Sequence, residues 1–277
     1  ILFSNKKNSR VDFVRLACHF NEFSKTLEIA NILKKKGYIV AVNLMQISER
    51  TEKEIKEACK LAKKTKLDIL YFADSLGSMD NKDIKKIVKI FKKEWAGNIG
   101  IHAHNNLGLA LSNSVTAIKE GVNWVDSTVM GMGRGAGNAQ TEYITLEIEK
   151  FQKKFQNNLS LMKVIKKYFY SLYEKYKWGI NFYYYLAGKF SIHPTYIQEM
   201  INIKLTDSEM IDGINQLKDY GASRYDVNLV RSEFQKPIKL QKGSWSPKSK
   251  IKGREVLLVS SGPNLKRSKS TRLNSSH

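Results

Sequence analysis

The sequence predicts an α/β protein in which strands and helices alternate around a parallel sheet. Three observations carry that reading: short apolar runs bounded by turn residues, amphipathic segments of helical period between them, and polar residues gathered where each apolar run ends. Successive strand–helix units imply right-handed crossovers with helices covering the outer face of the sheet.

Taken in order, residues 11–19 read as a strand followed by a helix over 25–36, and residues 38–44 as a strand followed by a helix over 52–64. Residues 67–73 form the third strand, running into Asp74-Ser75-Leu76-Gly77, with its helix over 84–95. The fourth strand spans 98–104. Its helix, 107–119, carries Leu111, Val115 and Ile118 on one stripe and stops at Gly121. A fifth strand, 124–130, empties into Gly131, Gly133, Gly135 and Gly137. Each strand ends in polar residues: His19 and Glu22, Asn43 and Gln46, Asp74 and Ser75, His102 and His104, Asp126 and Ser127. A (β/α)8 barrel keeps its chemistry at that end of its strands. The expected fold class is therefore α/β, part of a (β/α)8 barrel followed by a helical domain.

The most informative motif is His102-Ala103-His104, followed by Asn105, Asn106 and Gly108. Side chains two apart on a strand share a face, so both imidazoles point one way at a spacing suited to chelation. The alternative is a pair of packed histidines, but this pairing favours a metal site.

Together the runs HAHNNLGLALSNSVTAIKEG and VDSTVMGMGRGAGNAQTE resemble the DRE-type TIM-barrel metallolyases, relatives of pyruvate carboxyltransferases and HMG-CoA lyases, most nearly their 4-hydroxy-2-oxovalerate aldolase branch. The resemblance covers about residues 10–150. It implies that His102 and His104 bind a divalent metal, with Mn2+ expected and Mg2+, Co2+ or Zn2+ as alternatives. In the family an aspartate of a D-x-T-L-R-D-G motif on the first strand joins them, and an arginine of that motif stabilises the enolate. Neither is found in this sequence. The match places Ile1 just before the fourth strand, which implies that the chain's five strands are numbers 4 to 8 of the barrel, so three strands are expected upstream and the chain alone is expected to be inactive.

The implied reaction is cleavage of a 4-hydroxy-2-oxo acid to pyruvate and an aldehyde. His19 is the candidate catalytic base, or else a structural hydrogen-bonding group. Asp74 is a substrate-binding candidate that reads more readily as a group supporting a ligand from behind or as a helix cap. Asn138 resembles the position of an additional oxygen ligand to the metal; a turn-forming asparagine is the other reading. Arg134 stands where the catabolic aldolases have a small residue. It suits an anionic substrate group, unless it pairs with Glu142. An acyl-CoA-dependent condensing synthase is the alternative reaction, and a non-catalytic scaffold barrel an alternative role.

The organisation read from the sequence is a barrel part over 1–150, a helical domain over 151–235, a linker over 236–252, the start of a second α/β domain over 253–269 and a non-native tail over 270–277. For that tail a natural basic extension is the alternative. Within the helical domain, helices are expected over 159–178, 207–220 and 223–234, with residues 181–203 broken at His193-Pro194 so that a helix restarts at Thr195. The aromatics 182–185 read as packing core or as a substrate or partner surface. A homo-oligomer or a partner enzyme would be met through this helical part.

The net charge of +21 invites a nucleic-acid reading. Lysines, however, are scattered as Lys34-Lys35-Lys36, Lys63-Lys64, Lys85-Lys86 and Lys92-Lys93 on outer helix faces, where charge is solvated, so no nucleic-acid partner is expected. Cys18 and Cys59 show no paired spacing, which suits a reducing, cytoplasmic compartment. No apolar run approaches the roughly 20 residues that span a bilayer, so no membrane partner is expected.

Overall fold

The computed structural model describes residues 3–152 and 158–229. The described residues all belong to one compact unit. The expectations for 236–252, 253–269 and 270–277 fall outside the described residues.

Five parallel strands, β1 (Phe13–Cys18), β2 (Ile39–Leu44), β3 (Ile69–Asp74), β4 (Asn98–Ala103) and β5 (Trp124–Val125), pair in sequence order. Between them lie α1 (Phe23–Lys35), α2 (Glu52–Lys63), α3 (Asn81–Glu94) and α4 (Ala110–Lys119). This is the expected α/β barrel wall. Every residue of β3 is buried, as parallel strands covered on both faces must be. Capping boxes start two of the crossover helices. Thr51 and Glu54 exchange hydrogen bonds at α2, and Asp80 and Asp83 do so at α3. The core between sheet and helices holds Leu33, Leu44, Leu70, Phe72, Phe91 and Ile101.

The other face of the sheet encloses a lumen. β1 and β5 are not hydrogen-bonded to each other, yet the Phe13 and Trp124 rings stack with centroids 5.6 Å apart and planes 10° apart. Arg15 likewise forms an ion pair with Asp126. Edge strands meet through their side chains only when a sheet curls around its own interior.

Two expectations for the barrel part change. The fifth strand was expected over 124–130, but β5 stops at Val125. Just beyond it Asp126 N–H still donates to Ile101 O of β4 at 3.0 Å, and from Thr128 the chain bonds to its own returning loop: Thr128 N–H donates to Ala139 O at 3.0 Å and Thr141 N–H to Thr128 O at 2.9 Å. Residues 141–152, for which no helix was expected, form α5 (Thr141–Gln152).

The helical region comprises α6 (Leu159–Val164), a π-helical turn (Ile165–Phe169), α7 (Tyr170–Tyr176), α8 (Phe182–Lys189), α9 (Pro194–Asn202) and α10 (Asp207–Asp219). The helix expected over 159–178 ends early, because Lys177 adopts φ +50°. Pro194 opens α9, one residue before the expected restart. Of the helix expected over 223–234, residues 223–226 are not helical and those from 230 lie outside the described residues. A second core of Tyr184, Tyr196, Ile197, Met200, Ile214 and Leu217 takes in Ala136 from the loop after β5. The helical region is thus seated on the barrel's functional loop. The aromatic run divides: Tyr184 is buried in this core, whereas Phe182 and Tyr185 are exposed. No described helix is long and apolar enough to cross a membrane.

Candidate metal centre and its surroundings

His102 is on β4 and His104 just past its end. Their rings lie 4.8 Å apart, centroid to centroid, at 84°. Each ring has its Nδ1 occupied. His104 Nδ1 lies 2.9 Å from Asp74 O, a carbonyl that only accepts, so this nitrogen carries the proton. Burial, reinforced by the neighbouring His102, pushes the His104 imidazole down to about 4. The ring is therefore neutral near pH 7 and its Nε2 holds a free lone pair.

His102 Nδ1 lies 2.9 Å from Asp126 Oδ2. Burial works against charge on Asp126, but hydrogen bonds from His102 and Arg15 outweigh it and hold the carboxyl below its ordinary range. An ionised carboxylate accepts only, so His102 Nδ1 is the donor and Nε2 is left for a ligand. Carboxylate and carbonyl acceptors behind the far nitrogen are how metal-binding histidines are oriented.

Behind Asp126 the support crosses the lumen. Arg15 pairs with its carboxylate and lies 5.0 Å above the Tyr71 ring. Gly100 makes room for that ring, since a Cβ there would come within 2.4 Å of Tyr71 Cδ1. Neither Arg15 nor Tyr71 was expected at the site. Asp126 was visible only as a strand-end acid.

Asn138 faces His104 through an isolated antiparallel bridge. Its Nδ2 donates to Met132 O at 3.2 Å, while its buried Oδ1 has no protein partner. Two free imidazole nitrogens, and the orphaned amide oxygen of the residue bridged to His104, are donor types that could suit a divalent ion of intermediate hardness. No cluster of three or more His, Cys, Asp or Glu arranged for a metal occurs among the described residues.

Asp74 requires a correction. It is completely buried, and its carboxylate oxygens accept the N–H groups of Ser78 at 3.0 Å and Met79 at 3.2 Å. Burial raises its carboxyl to about 6 against those hydrogen bonds. It organises the turn after β3 and, through its carbonyl, His104; it offers nothing directly to a substrate.

His19 is exposed at the end of β1, its backbone N–H donating to Glu22 Oε2 at 3.3 Å. Arg134 is exposed on the glycine loop and forms no ion pair among the described residues. Glu142, its expected alternative partner, instead accepts the Met130 N–H at 3.0 Å. Sequence reasoning missed His193, which it treated as part of a helix break. This half-buried histidine caps α9, its Nδ1 accepting the Thr195 N–H at 3.3 Å. Burial, then the charges of Arg134 and His19, push it down to about 4. Arg134 and His193 are thus within electrostatic reach of His104, and Arg134 and His19 within reach of His193.

The chain is 34% identical over 153 residues to a 4-hydroxy-2-oxovalerate aldolase of Carboxydothermus hydrogenoformans, covering 55% of this chain and 45% of that protein. It is 33% identical over 141 residues to the aldolase of the same description from Thermus thermophilus, covering 50% and 41% respectively. The chain therefore spans less than half the length of these relatives. Among solved structures, the N-terminal domain of a proposed aldolase from Bacteroides vulgatus superposes with a TM-score of 0.65 at 31% identity, over 69% of this chain and 64% of that one. HMG-CoA lyase of Bacillus subtilis shares the fold, with a TM-score of 0.51 at 19% identity over 60% of this chain and 64% of that one. The HMGL-like family model matches residues 10–167, a stretch that holds the whole sheet, the histidine pair and Asn138, and the chain belongs to the HMGL-like family.

Proposed function

We propose that the protein containing this chain is a divalent-metal-dependent, aldolase-type carbon–carbon lyase that cleaves a 4-hydroxy-2-oxo acid to pyruvate and an aldehyde. The observation that carries this reading is the pair of imidazoles whose Nδ1 atoms are tied to Asp126 and Asp74 O, leaving both Nε2 atoms free. His102 and His104, with Asn138, would hold a divalent ion, Mn2+ being favoured by nitrogen and oxygen donors, and that ion would supply Lewis-acid polarisation of the 2-oxo group.

The chain's own residues do the rest. Arg15 and Asp126 hold His102 in one tautomer. His193, with Nδ1 accepting from Thr195, presents Nε2–H as a donor to a substrate oxygen. His19, at the end of β1, takes the 4-hydroxyl proton as the C3–C4 bond breaks. The relatives' name, 4-hydroxy-2-oxovalerate aldolase, supports this reading, as does the family membership.

The test is pyruvate release from a 4-hydroxy-2-oxo acid with added Mn2+, measured in the protein that contains this chain. His102→Ala and His104→Ala should each abolish both turnover and bound Mn2+. Unchanged metal content and turnover in both variants would refute the assignment.

A further inference from the structure

The segments after β2 and β3 and the turn between α8 and α9 line a cleft of about 360 Å3 on the helix side of the sheet. Its apolar wall includes Ile55 of α2 and Ile87 and Ile90 of α3, all members of the core between sheet and helices. Its polar groups include Arg50 and Ser48 before α2, Ser78 before α3, and Ser191 from the helical region, which adopts φ +54°.

Arg50 is the group left incomplete. Its side chain is only 14% exposed, and its guanidinium carbon lies 5.2 Å from the centre of the Phe20 ring. Its ion pair, Nη1 to Glu54 Oε1, is 3.5 Å long, at the outer limit of a hydrogen bond, and its buried Nε has no partner. The other Glu54 oxygen, Oε2, is committed to the N–H and hydroxyl of Thr51, both at 2.8 Å. A guanidinium stays charged at any ordinary pH, so donors left unmet away from water carry a cost that a bound acceptor removes.

The remaining charges of the cleft are answered within the protein. Lys86 pairs with Glu52 at 2.9 Å, Glu52 also takes Lys56 at 3.3 Å, and Asp83 accepts the Asp80 N–H at 3.1 Å in the cap of α3. Ser48, Ser78 and Ser191 add rotatable hydroxyl donors. One under-used positive charge near two acids favours a ligand with a single negative charge, because a dianion would be repelled by both carboxylates. A planar guanidinium against an aromatic ring suits a carboxylate, and the isoleucine wall suits a short hydrocarbon chain.

We propose that this cleft binds a small monocarboxylate, with its carboxylate paired to Arg50 and its hydrocarbon body against Ile55, Ile87 and Ile90. Binding there does not depend on the lyase reading, since none of the lining residues belongs to the candidate metal centre.

The experiment is calorimetric titration, at pH 8, of the protein that contains this chain with butanoate, acetate, butanamide and butyl phosphate. Butanoate should bind most tightly: acetate lacks the hydrocarbon body, the amide lacks the charge, and the phosphate ester carries too much of it. Arg50→Gln should weaken butanoate by roughly ten- to hundredfold, the usual range for a hydrogen bond to a charged group. Arg50→Lys should retain part of the affinity, and neither variant should change what the amide does. Carboxylates also suit the candidate centre, so the titration is repeated in His102→Ala/His104→Ala, which should bind butanoate as the parent does. Hydrogen exchange in the parent gives a measurement free of any variant: butanoate should slow exchange in peptides covering residues 47–55 and 78–90 and leave 102–108 unchanged. Absent butanoate binding, tighter binding of any other probe, or equal affinity for butanoate and butanamide would overturn the proposal. So would binding that Arg50→Gln leaves intact, that the histidine double variant abolishes, or that protects neither peptide of the cleft.

Discussion

The tautomer of His102 is decided by groups that never touch the ligand position. Asp126 is an acceptor only while ionised, and Arg15 keeps it so from the opposite side of the lumen. Asp126→Asn should therefore lower Mn2+ affinity by about 10–100-fold, the usual cost of losing such an outer partner. An amide can turn its NH2 towards Nδ1 and move the proton to Nε2. An EPR titration of Mn2+ checks the affinity, and imidazole 15N shifts check the tautomer; unchanged values in both would remove Asp126 from the site. His193 gives a separate prediction at this scale. Its imidazole is pushed down to about 4 in the fold, chiefly by burial, against an ordinary value near 6.5. Above 6.5 the ring is neutral whether folded or not. As pH falls from there towards 4 the unfolded chain takes up the proton first, so the stability tied to a neutral His193 is lost across that window. Urea midpoints between pH 7.5 and 4.5 should fall less steeply in His193→Gln than in the parent, and parallel curves would assign the pH response to other groups.

At the scale of elements, β4 shows how one small residue holds several larger ones in place. Gly100 pairs in register with Tyr71, and the Tyr71 ring occupies the space a side chain would need. Gly100→Ala should cost about 1–3 kcal/mol, as overpacking of a filled interior does, and should also loosen Arg15 above the ring. A urea unfolding curve that does not shift would show that Tyr71 moves aside freely. The order of elements was legible because β2, β3 and β4 are compact apolar runs separated by segments of helical period. α5 was not legible, since it follows a glycine-rich loop and its inward side offers only buried Ile144 and partly buried Ile148. The shortened β5 depends on bonds from Thr128 to the returning chain, which no strand propensity reports. Of the site, the histidine pair and Asn138 could be read because they lie in two local motifs. The Arg15–Asp126 link joins residues 111 apart in the chain, and His193 reaches the site only once α9 packs on the loop core, so spacing rules gave no sign of either.

For the whole molecule, the barrel wall separates what keeps it folded from what performs chemistry. The apolar core lies between the sheet and α1–α4, whereas His102, His104 and Arg15 face the lumen and contribute little to that core. Removing both imidazoles should therefore leave the fold intact, and a metal should act on stability only by binding the folded chain. Mn2+ held at roughly a hundred times its dissociation constant stabilises the native state by about 2.7 kcal/mol. For a unit of this size that corresponds to a rise in Tm of roughly 5–10 °C. The double variant His102→Ala/His104→Ala should melt, without metal, close to the parent and should show no rise when Mn2+ is added. The two measurements separate the possible faults. A variant that melts far below the parent in metal-free buffer would make the histidines structural, and a Mn2+-dependent rise that survives in the variant would place the ion elsewhere in the protein.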